Sequence, residues 1–389
     1  MIQRRLIHLT TTDMSLDWLL RPQLEAFADA GFEVIGMSAP GPHVDALQAS
    51  GIQHVSVPSL TRSMSPWQDL RALRDLHREF RRLRPDVVHT HNPKPGVLGR
   101  LAGRSAGVPV VVNTVHGLYA LPEDRLAKKS VVYGLERLAS TCSHAELLQN
   151  PEDLPVLRRL GVPHAKLSVL GNGIDLRRFD PASVAPDTRT RLRTEMGATE
   201  STVVVGFVGR LVWEKGYAEV FEAGRSLVGA DCRFVVVGPD EPDKGGAVDA
   251  KSKAEAEANG VVFLGPRDDM VDLYAAFDVY GLASHREGYP RSAMEASAMG
   301  LPVVASNIRG CRQVVADGES GRLFAAGDAA DLTQKLAPLV QDVELRRRLG
   351  DAARARALEL FDDRRVIETT LRTYEWLLSR SARPEMVAA

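Results

Sequence analysis

The chain has 389 residues, of which 44% are hydrophobic and 25% charged, with a formal net charge of −1. This composition is ordinary for a globular protein, and the length predicts two domains with sizeable cores. The balanced charge offers no global attraction to nucleic acid, and no apolar run approaches the length of a transmembrane helix. Cys142, Cys232 and Cys311 form no CxxC pair, so neither a disulfide framework nor a zinc site is indicated. With no apparent signal peptide, the expected location is the cytosol, including peripheral attachment to the inner face of the plasma membrane.

Short apolar segments alternate with helical patterns along the whole chain. In the first half, the predicted strands cover residues 6–9, 32–38, 54–58, 86–91, 109–115, 145–149 and 167–170, and helices are predicted over 19–30, 67–84 and 98–106. In the second half, the predicted strands cover residues 203–208, 234–238, 261–265, 278–282 and 303–305. Apolar strands separated by helices indicate parallel sheets covered on both faces. The predicted fold class is therefore α/β, with two successive doubly wound, Rossmann-like domains.

The predicted domains are residues 1–180 and 190–365. The boundary is expected within 177–199, where prolines and charges interrupt the alternation. The chain is mostly helical beyond Asp328, and a C-terminal helix of about 366–389 is expected to return to the first domain. Ligands of open α/β sheets bind beyond the carboxyl ends of the strands, so we expect the site in a cleft between facing strand ends.

The segment from Glu287 to Glu295 holds two carboxylates around a strand end, a loop and a helix start. Pro290 suits the first helical position, and the helix is expected to end at Gly300. The backbone N–H groups of residues 291–293 would then lie at a helix N-terminus, which suits a phosphate. Two carboxylates that accept from hydroxyls, flanking a phosphate site, match a nucleotide-sugar. The alternative is a solvated loop glutamate and an unrelated surface glutamate.

A second charged segment follows the predicted strand 203–208. Arg210 would emerge at the strand tip and Lys215 from the loop before the next helix, with Gly209 and Gly216 allowing close backbone approach. Two fixed cations suit a diphosphate whose charge grows as it leaves. The alternative is a solvated basic pair beside a turn. Two further turns, 264–267 with Arg267 and 306–310, are candidates for the same site or ordinary turns.

In the first domain, polar residues also follow predicted strands. His116, before Gly117, is either a structural histidine or a site residue. His89 and His91 superficially suggest a metal, but no nearby carboxylate or cysteine completes a ligand set, so no metal site is expected. Asn92 and Lys94 are better interpreted as polar contacts for a substrate.

Several motifs are absent, and one helix is strongly basic. No Walker A loop, GxGxxG after the first strand, or GxSxG elbow is present, which weighs against a P-loop NTPase, a dinucleotide oxidoreductase and an α/β-hydrolase. The Asp-x-Asp expected of a metal-dependent sugar transferase is also missing. The segment 69–84 carries six arginines opposite an apolar stripe, which indicates either a solvated crossover helix or adhesion to anionic lipid.

With these residues in place, the chain resembles glycosyltransferase family 4, retaining enzymes of the GT-B fold. The resemblance rests on Gly209-Arg210 with Glu214-Lys215-Gly216, and on the run from Glu287 to Glu295, in the expected order and spacing. It extends over essentially the whole chain. The stretches 89–100 and 113–119 are similar to bacterial members that build lipid-linked glycans and surface polysaccharides.

The resemblance implies a role for each matching residue. Arg210 and Lys215 would bind the donor diphosphate, Glu295 the ribose hydroxyls, and Glu287 the transferred sugar, while His116 would contact that sugar from the opposite domain. It implies metal-independent transfer with no cofactor, two cations replacing a divalent ion. Many relatives carry a Gly-Gly loop after the first strand, where this chain has Thr10 to Asp13. The remaining predicted donor contacts are Gly209, Arg267, Tyr289, Pro290, Arg291 and Ser292, and the predicted acceptor-side contacts are Thr12, Asp13, Asn92 and Lys94.

The leading hypothesis is therefore a hexosyltransferase that moves a sugar from a nucleotide-sugar, expected to be a UDP-sugar, to a polyprenyl-diphosphate-linked saccharide. One alternative is an isomerase on the same two-domain fold, such as a UDP-sugar 2-epimerase, which would act without an acceptor. Others are transfer to a soluble acceptor and a catalytically silent sugar-nucleotide-binding subunit. The intact Arg210, Lys215, Glu287 and Glu295 argue against the silent subunit.

Overall fold

A computed structural model describes residues 3–61, 63, 65–91, 93–120, 124–229, 231–241 and 245–381. The chain divides into two compact units, one formed by residues 1–171 with 365–389 and the other by residues 172–364. Each unit has one parallel sheet covered by helices on both faces, which confirms the predicted fold class. Within the described ranges, no helix is both long enough and apolar enough to cross a membrane.

The first unit has a seven-stranded parallel sheet in the order β3-β2-β1-β4-β5-β6-β7. Its strands are β1 Arg5–Thr12, β2 Glu33–Ala39, β3 Gln53–Ser56, β4 Val87–His91, β5 Val110–Val115, β6 Ala145–Leu148 and β7 Leu167–Val169. Its helices are α1 Asp13–Ser15, α2 Arg21–Asp29, α3 Val44–Ala49, α4 Pro66–Leu83, α5 Pro93–Ala106, α6 Leu126–Ser140 and α7 Leu154–Arg159, with a π-helical turn at Leu16–Leu20 between α1 and α2.

Side chains that alternate along β1 build two separate cores, one on each face of this sheet. Leu6 packs with Tyr374 of the C-terminal helix α16, Asp363–Ser381. The next residue, Ile7, packs on the opposite face with Leu76 and Phe80 of α4. The apolar stripe of the arginine-rich segment is thus buried, and its arginines lie on the outer side.

The second unit has a six-stranded parallel sheet in the order β10-β9-β8-β11-β12-β13. Its strands are β8 Val203–Val208, β9 Cys232–Val237, β10 Val262–Gly265, β11 Val279–Leu282, β12 Val303–Ser306 and β13 Gly321–Phe324. Its helices are α8 Thr188–Glu195, α9 Tyr217–Leu227, α10 Ala250–Ala258, α11 Met270–Ala276, α12 Arg291–Ala298, α13 Cys311–Val314, α14 Ala329–Gln341 and α15 Val343–Leu360.

The division between the units lies before the segment where the boundary was predicted. Residues 177–199 look like a linker in the sequence, but they belong to the second unit. Leu192 of α8 is buried in its core. Arg193, also buried, donates to Asp278 Oδ2 at 2.8 Å, and this neighbour holds the pKa of the Asp278 carboxyl below its usual range. The charges that suggested a linker are therefore internal partners of a packed helix.

Candidate active site

Both sheets contain a topological switch point. This is the place between two neighbouring strands from which the chain continues to opposite edges of the sheet. It lies between β1 and β4 in the first unit and between β8 and β11 in the second. Ligands of open α/β sheets bind beyond the carboxyl ends of the strands at such points. The loops after β8 and β11 carry Arg210, Lys215 and Glu287, so the strongest sequence motifs lie at one sheet edge.

Lys215 and Glu287 form the centre of the second-unit site. Lys215 ends a 3-10 turn, Trp213–Lys215, and its Nζ lies 2.6 Å from Glu287 Oε1. The backbone N–H of His285 donates to the Glu214 carbonyl at 2.9 Å, which joins the two loops. The cation predicted for the diphosphate and the carboxylate predicted for the sugar are thus direct neighbours.

Gly216 is required for this turn for two reasons. Its φ of +76° lies in the left-handed region that disfavours a side chain. An added Cβ would also collide with the backbone carbonyl of Ala283, just after β11. The glycine therefore lets the Lys215 loop lie against the strand that leads to Glu287.

Arg210 lies at the more open side of the site. Its side chain is 43% exposed, against 23% for Lys215, and its Nη1 donates to Glu241 Oε2 at 3.0 Å. The carbonyl of Gly209 accepts from the Tyr217 hydroxyl at 2.9 Å. A Cβ on Gly238 would strike that same carbonyl, so Gly238 is fitted to the loop that presents Arg210.

Helix α12 begins at Arg291, one residue after the predicted first helical position, because Pro290 caps the helix instead of forming its first turn. Pro290 has a ψ of 111°, and the first helical donor is the N–H of Met294, which donates to the Pro290 carbonyl at 3.2 Å. The helix ends at Ala298, slightly before the predicted end. Ser292 Oγ accepts from the buried Tyr280 hydroxyl at 2.7 Å. The partly buried Tyr289 ring packs edge-on against Phe361.

Glu295 is held one turn into α12. The Tyr274 hydroxyl donates to its Oε2 at 3.0 Å, and Tyr274 is fully buried. Burial raises the pKa of the Glu295 carboxyl, while nearby Arg291 acts in the opposite direction. A carboxylate fixed by a tyrosine is oriented for hydrogen bonding to a diol.

Arg267 has its guanidinium engaged by neighbouring carboxylates. Its Nε and Nη2 donate to the two oxygens of Asp269 at 2.8 and 2.6 Å, and its Nη1 donates to Glu195 at 2.6 Å. These bonds raise its pKa above the ordinary value. Arg267 thus ties the β10 turn to α8.

The first unit places His116 in a cluster of histidines at its own switch point. His116 Nε2 and His91 Nδ1 share a hydrogen bond of 3.0 Å, and His91 Nε2 and His8 Nδ1 share one of 2.9 Å. His89 bonds to Thr114 at 2.7 Å and to the hydroxyl of Tyr374. Burial lowers the pKa of His8 to about 3 and that of His116 to about 4, and those of His89 and His91 also fall well below the usual value. These imidazoles are neutral at physiological pH.

The predicted acceptor-side residues mostly make contacts within the protein. Asp13 is buried and accepts from the backbone N–H of His43 at 2.7 Å. Thr12 shares a hydrogen bond with Ser15 at 3.3 Å. Lys94 pairs with Asp69 of α4 and donates to the Ser63 carbonyl at 2.7 Å. Asn92 lies outside the described residues.

The sequence is similar to known proteins in both units. The model of the family described as Glycosyltransferase Family 4 matches residues 23–178, and that described as Glycosyl transferases group 1 matches residues 188–356. The chain is 33% identical, over 78% of each chain, to the UDP-Gal:alpha-D-GlcNAc-diphosphoundecaprenol alpha-1,3-galactosyltransferase of Escherichia coli.

The chain belongs to glycosyltransferase family 4.

Two further proteins with lower sequence identity are similar to almost the whole of this family 4 chain. One is the N,N'-diacetylbacillosaminyl-diphospho-undecaprenol alpha-1,3-N-acetylgalactosaminyltransferase of Campylobacter jejuni, at 25% identity over 91% of this chain and 94% of the other. The other is Anabaena HepE, solved in complex with UDP and glucose, with a TM-score of 0.80, 19% identity and coverage of 96% and 100%. The latter supports the GT-B fold.

Sequence reasoning missed several residues that shape this glycosyltransferase's two sites. His8 and Tyr374 are far from His116 in the chain, and only strand pairing and the return of α16 bring them together. Gly310 ends the turn 306–310, which the sequence alone does not distinguish from an ordinary turn, and a Cβ there would lie 2.5 Å from the Glu287 carbonyl oxygen. Ser284 and Ser306, at the carboxyl ends of β11 and β12, have buried hydroxyls without a hydrogen-bond partner among the described residues. Their positions at the ends of predicted strands could have identified these two serines as candidate site residues.

Proposed function

We propose that this glycosyltransferase transfers a hexose from a UDP-sugar to a polyprenyl-diphosphate-linked saccharide, with retention of configuration and without a metal ion. The observation that carries the proposal is the Lys215–Glu287 pair at the switch point of the second sheet. A cation that neutralises a leaving diphosphate beside a carboxylate that accepts from sugar hydroxyls is what this transfer requires.

The diphosphate site would combine Lys215, Arg210 and the N-terminus of α12. Lys215 is held by two backbone constraints, the Gly216 turn and the His285 to Glu214 hydrogen bond, so its ammonium is preorganised. Arg210, the more exposed cation, is suited to the outer phosphate. The N-terminal N–H groups of α12 add positive partial charge. Two cations and a helix dipole supply the charge that a divalent ion supplies in other transferases.

The sugar and ribose contacts would lie on either side of this phosphate site. Glu287 is expected to accept from hydroxyls of the transferred sugar, next to the bond that breaks. Glu295, oriented by Tyr274, is expected to accept from the ribose. The UDP donor is supported by the E. coli relative, whose name specifies UDP-Gal, and the lipid-linked acceptor by both relatives named above.

A lipid-linked acceptor requires access to a membrane surface, and α4 offers a surface of the right chemistry. Trp67 is 82% exposed at its start, and Arg71, Arg74 and Arg78 line an open groove of about 820 Å³ beside it. Exposed tryptophan and arginine together favour an interface with anionic lipid. We propose that α4 contacts the bilayer that holds the acceptor.

Calorimetric titration with UDP, GDP and ADP in EDTA tests the donor site. Selective binding of UDP in the presence of the chelator is the expected result. Incubation with UDP-sugars and an undecaprenyl-diphosphate-linked acceptor then tests transfer, and NMR of the product tests retention of the anomeric configuration. Binding that needs a divalent ion would contradict metal independence, and UDP-sugar consumption without an acceptor-derived product would contradict the transferase assignment for these substrates.

A further inference from the structure

The cluster at the switch point of the first sheet has a feature that the proposed function does not use. Hydrogen bonds run from Tyr374 of the C-terminal helix through His8 and His91 to His116. We refer to His8, His89, His91 and His116 as the histidine network. His8, His89 and His91 are buried. Burying polar side chains costs free energy unless they are hydrogen-bonded, and apolar side chains could fill the same core without that cost.

Strand pairing places the network on one face of the sheet. His8 of β1 is paired with His89 of β4, and His91 is paired with Thr114 of β5. Paired residues of parallel strands point to the same face, and alternate residues of one strand do so as well. This is the face that Tyr374 of α16 covers. The network is thus closed off by a helix from the far end of the chain.

Hydrogen bonds join Tyr374, His8, His91 and His116 in a line, and His8 and His91 each use both ring nitrogens. His8 meets His91 through Nδ1 at 2.9 Å and the Tyr374 hydroxyl through Nε2 at 3.4 Å. His91 meets His8 through Nε2 and His116 through Nδ1 at 3.0 Å. A neutral imidazole has one N–H and one lone pair, so a ring that donates at one nitrogen must accept at the other. The tautomer of His116 is therefore coupled, ring by ring, to those of His91 and His8, and through His8 to the Tyr374 hydroxyl, which also contacts His89 Nδ1.

A metal ion is the alternative explanation for such a cluster. Ligand nitrogens of His8, His89 and His91 lie within 4.8 Å of one another. However, His8 Nδ1 and His91 Nε2 share a hydrogen bond, as do His89 Nε2 and the Thr114 hydroxyl. Coordination would require the lone pairs of those nitrogens to face an ion. The geometry fits a hydrogen-bonded line better than a ligand set.

We propose that His8, His91 and Tyr374 are positioning residues of the transfer reaction, which act through His116 by fixing its ring orientation and its tautomer. The inference rests on the proposed function, together with the contact to the transferred sugar that the family resemblance implies for His116. Gln149 also hydrogen-bonds the His116 ring, so the ring is held from a second direction. The C-terminal helix would then contribute to the site through one hydroxyl, although Tyr374 lies 258 residues beyond His116 in the numbering.

The first test is spectroscopic and needs no substrate. Nitrogen-15 NMR of the full chain, labelled at histidine, reports which imidazole nitrogen carries the proton. His116 should show one fixed tautomer in the wild type. In Tyr374→Phe and His91→Leu its spectrum should shift toward the averaged pattern of an unconstrained ring. Thr90→Val is the matched control, because Thr90 is buried on β4 and donates to Asn113 at 2.7 Å, outside the line.

The second test is kinetic and separates positioning from folding. Misplacement of a reacting group by small distances can cost on the order of 100-fold in rate. His91→Leu should lower kcat by about 10- to 100-fold with little change in the KM for the donor. His91→Asn should recover part of the loss, since its amide can replace Nδ1 toward His116. Thr90→Val should keep the wild-type kcat.

The outcomes distinguish this inference from the proposed function. If His116→Ala is inactive but Tyr374→Phe and His91→Leu keep the wild-type kcat and the wild-type His116 spectrum, the positioning role is wrong and the function stands. If His116→Ala is fully active, its sugar contact is wrong, and with it the catalytic purpose of the line. Stoichiometric zinc in the purified protein, lost in His8→Asn, would also overturn the inference, because those nitrogens would then bind an ion.

Discussion

The two switch points of this glycosyltransferase have the same place in their sheets but different chemistry: one site is charged and the other is neutral. In the second unit, charged side chains lie on loops beyond the strands, with Lys215 and Glu287 paired at 2.6 Å. In the first unit, the polar groups lie largely within the strands, and burial keeps them neutral. Both sites lie at the switch point of a parallel sheet, but one is built from ion pairs and the other from hydrogen-bonded imidazoles.

The difference follows from what each site has to bind in the proposed reaction. A diphosphate carries charge that grows as it leaves, so fixed cations stabilise it. A sugar hydroxyl is neutral, and a neutral imidazole can donate to it or accept from it. Burial keeps His116 in this form because it lowers the pKa of its imidazole to about 4.

Lys215→Ala is expected to have the largest effect, since it removes the cation at the centre of the charged site. Loss of one preorganised electrostatic group typically lowers kcat by about 100- to 1,000-fold. UDP affinity should fall as well, because Glu287 would remain without its ammonium partner next to the diphosphate. Steady-state transfer and calorimetric UDP binding measure the two effects.

Lys253→Ala is the matched control for that variant. Lys253 also belongs to the second unit and also has a carboxylate partner, Asp240, at 3.3 Å, but the pair lies at the surface. Its removal should leave transfer within about two-fold, since exposed ion pairs contribute little. Equal losses from both variants would indicate a general charge effect and not a diphosphate contact.

The arginines of α4 should give the next largest effect, on membrane binding. Basic residues near an anionic surface contribute about 1 kcal/mol each, so replacing Arg71, Arg74 and Arg78 by serine should lower affinity for phosphatidylglycerol vesicles by up to about 100-fold at low salt. Transfer to a soluble, short-chain acceptor should be unchanged. Flotation of vesicles at low and high salt measures the binding.

A triple variant of equally exposed arginines elsewhere controls for net charge. Arg347, Arg364 and Arg372 have side chains that are mostly in solvent. If their replacement by serine weakens vesicle binding as much as the α4 variant does, the attraction is diffuse and α4 is only a solvated helix face.

The positions of the charged residues could be predicted from the sequence because they fall in two short segments, 209–216 and 287–295, and each segment follows a recognisable strand. Glu287, Pro290 and Glu295 lie within one loop and one helix, and their local geometry depends mainly on short-range rules. The histidine network could not be predicted in the same way. His8 meets His91 only because β1 pairs with β4, and both meet Tyr374 only because α16 returns to the first sheet.

Two other differences have the same origin. The segment 177–199 resembles a linker until Arg193 is seen to pair with Asp278, and β13 was missed because the short run Gly321–Phe324 contains an arginine and little apolar periodicity. In both cases, partners distant in the chain decide the structure. Predictions based on local pattern succeed where the stabilising contacts are local.

The smallest expected effect is the loss of folding stability in acid, and its size tests whether His8 of the first-unit site is neutral. The pKa of His8 is lowered to about 3, against about 6.5 in an unfolded chain. Between these values the unfolded state binds more protons than the folded state, so the free energy of unfolding rises with pH. The stability that a neutral His8 provides is complete above about pH 6.5 and is lost as the pH falls below it, by roughly 1 kcal/mol per pH unit.

The comparison of wild type with His8→Asn isolates this contribution, since the other titrating groups are common to both. Urea unfolding at pH 7.5 and pH 5.5 should show a wild-type stability that falls by roughly 1 kcal/mol more than that of the variant. Equal falls would mean that folding does not lower the pKa of His8, so that the folded and unfolded states take up this proton together near pH 6.5. The first-unit site would then gain charge in mild acid, and the contrast between a site of ion pairs and a site of imidazoles kept neutral by burial would have to be abandoned.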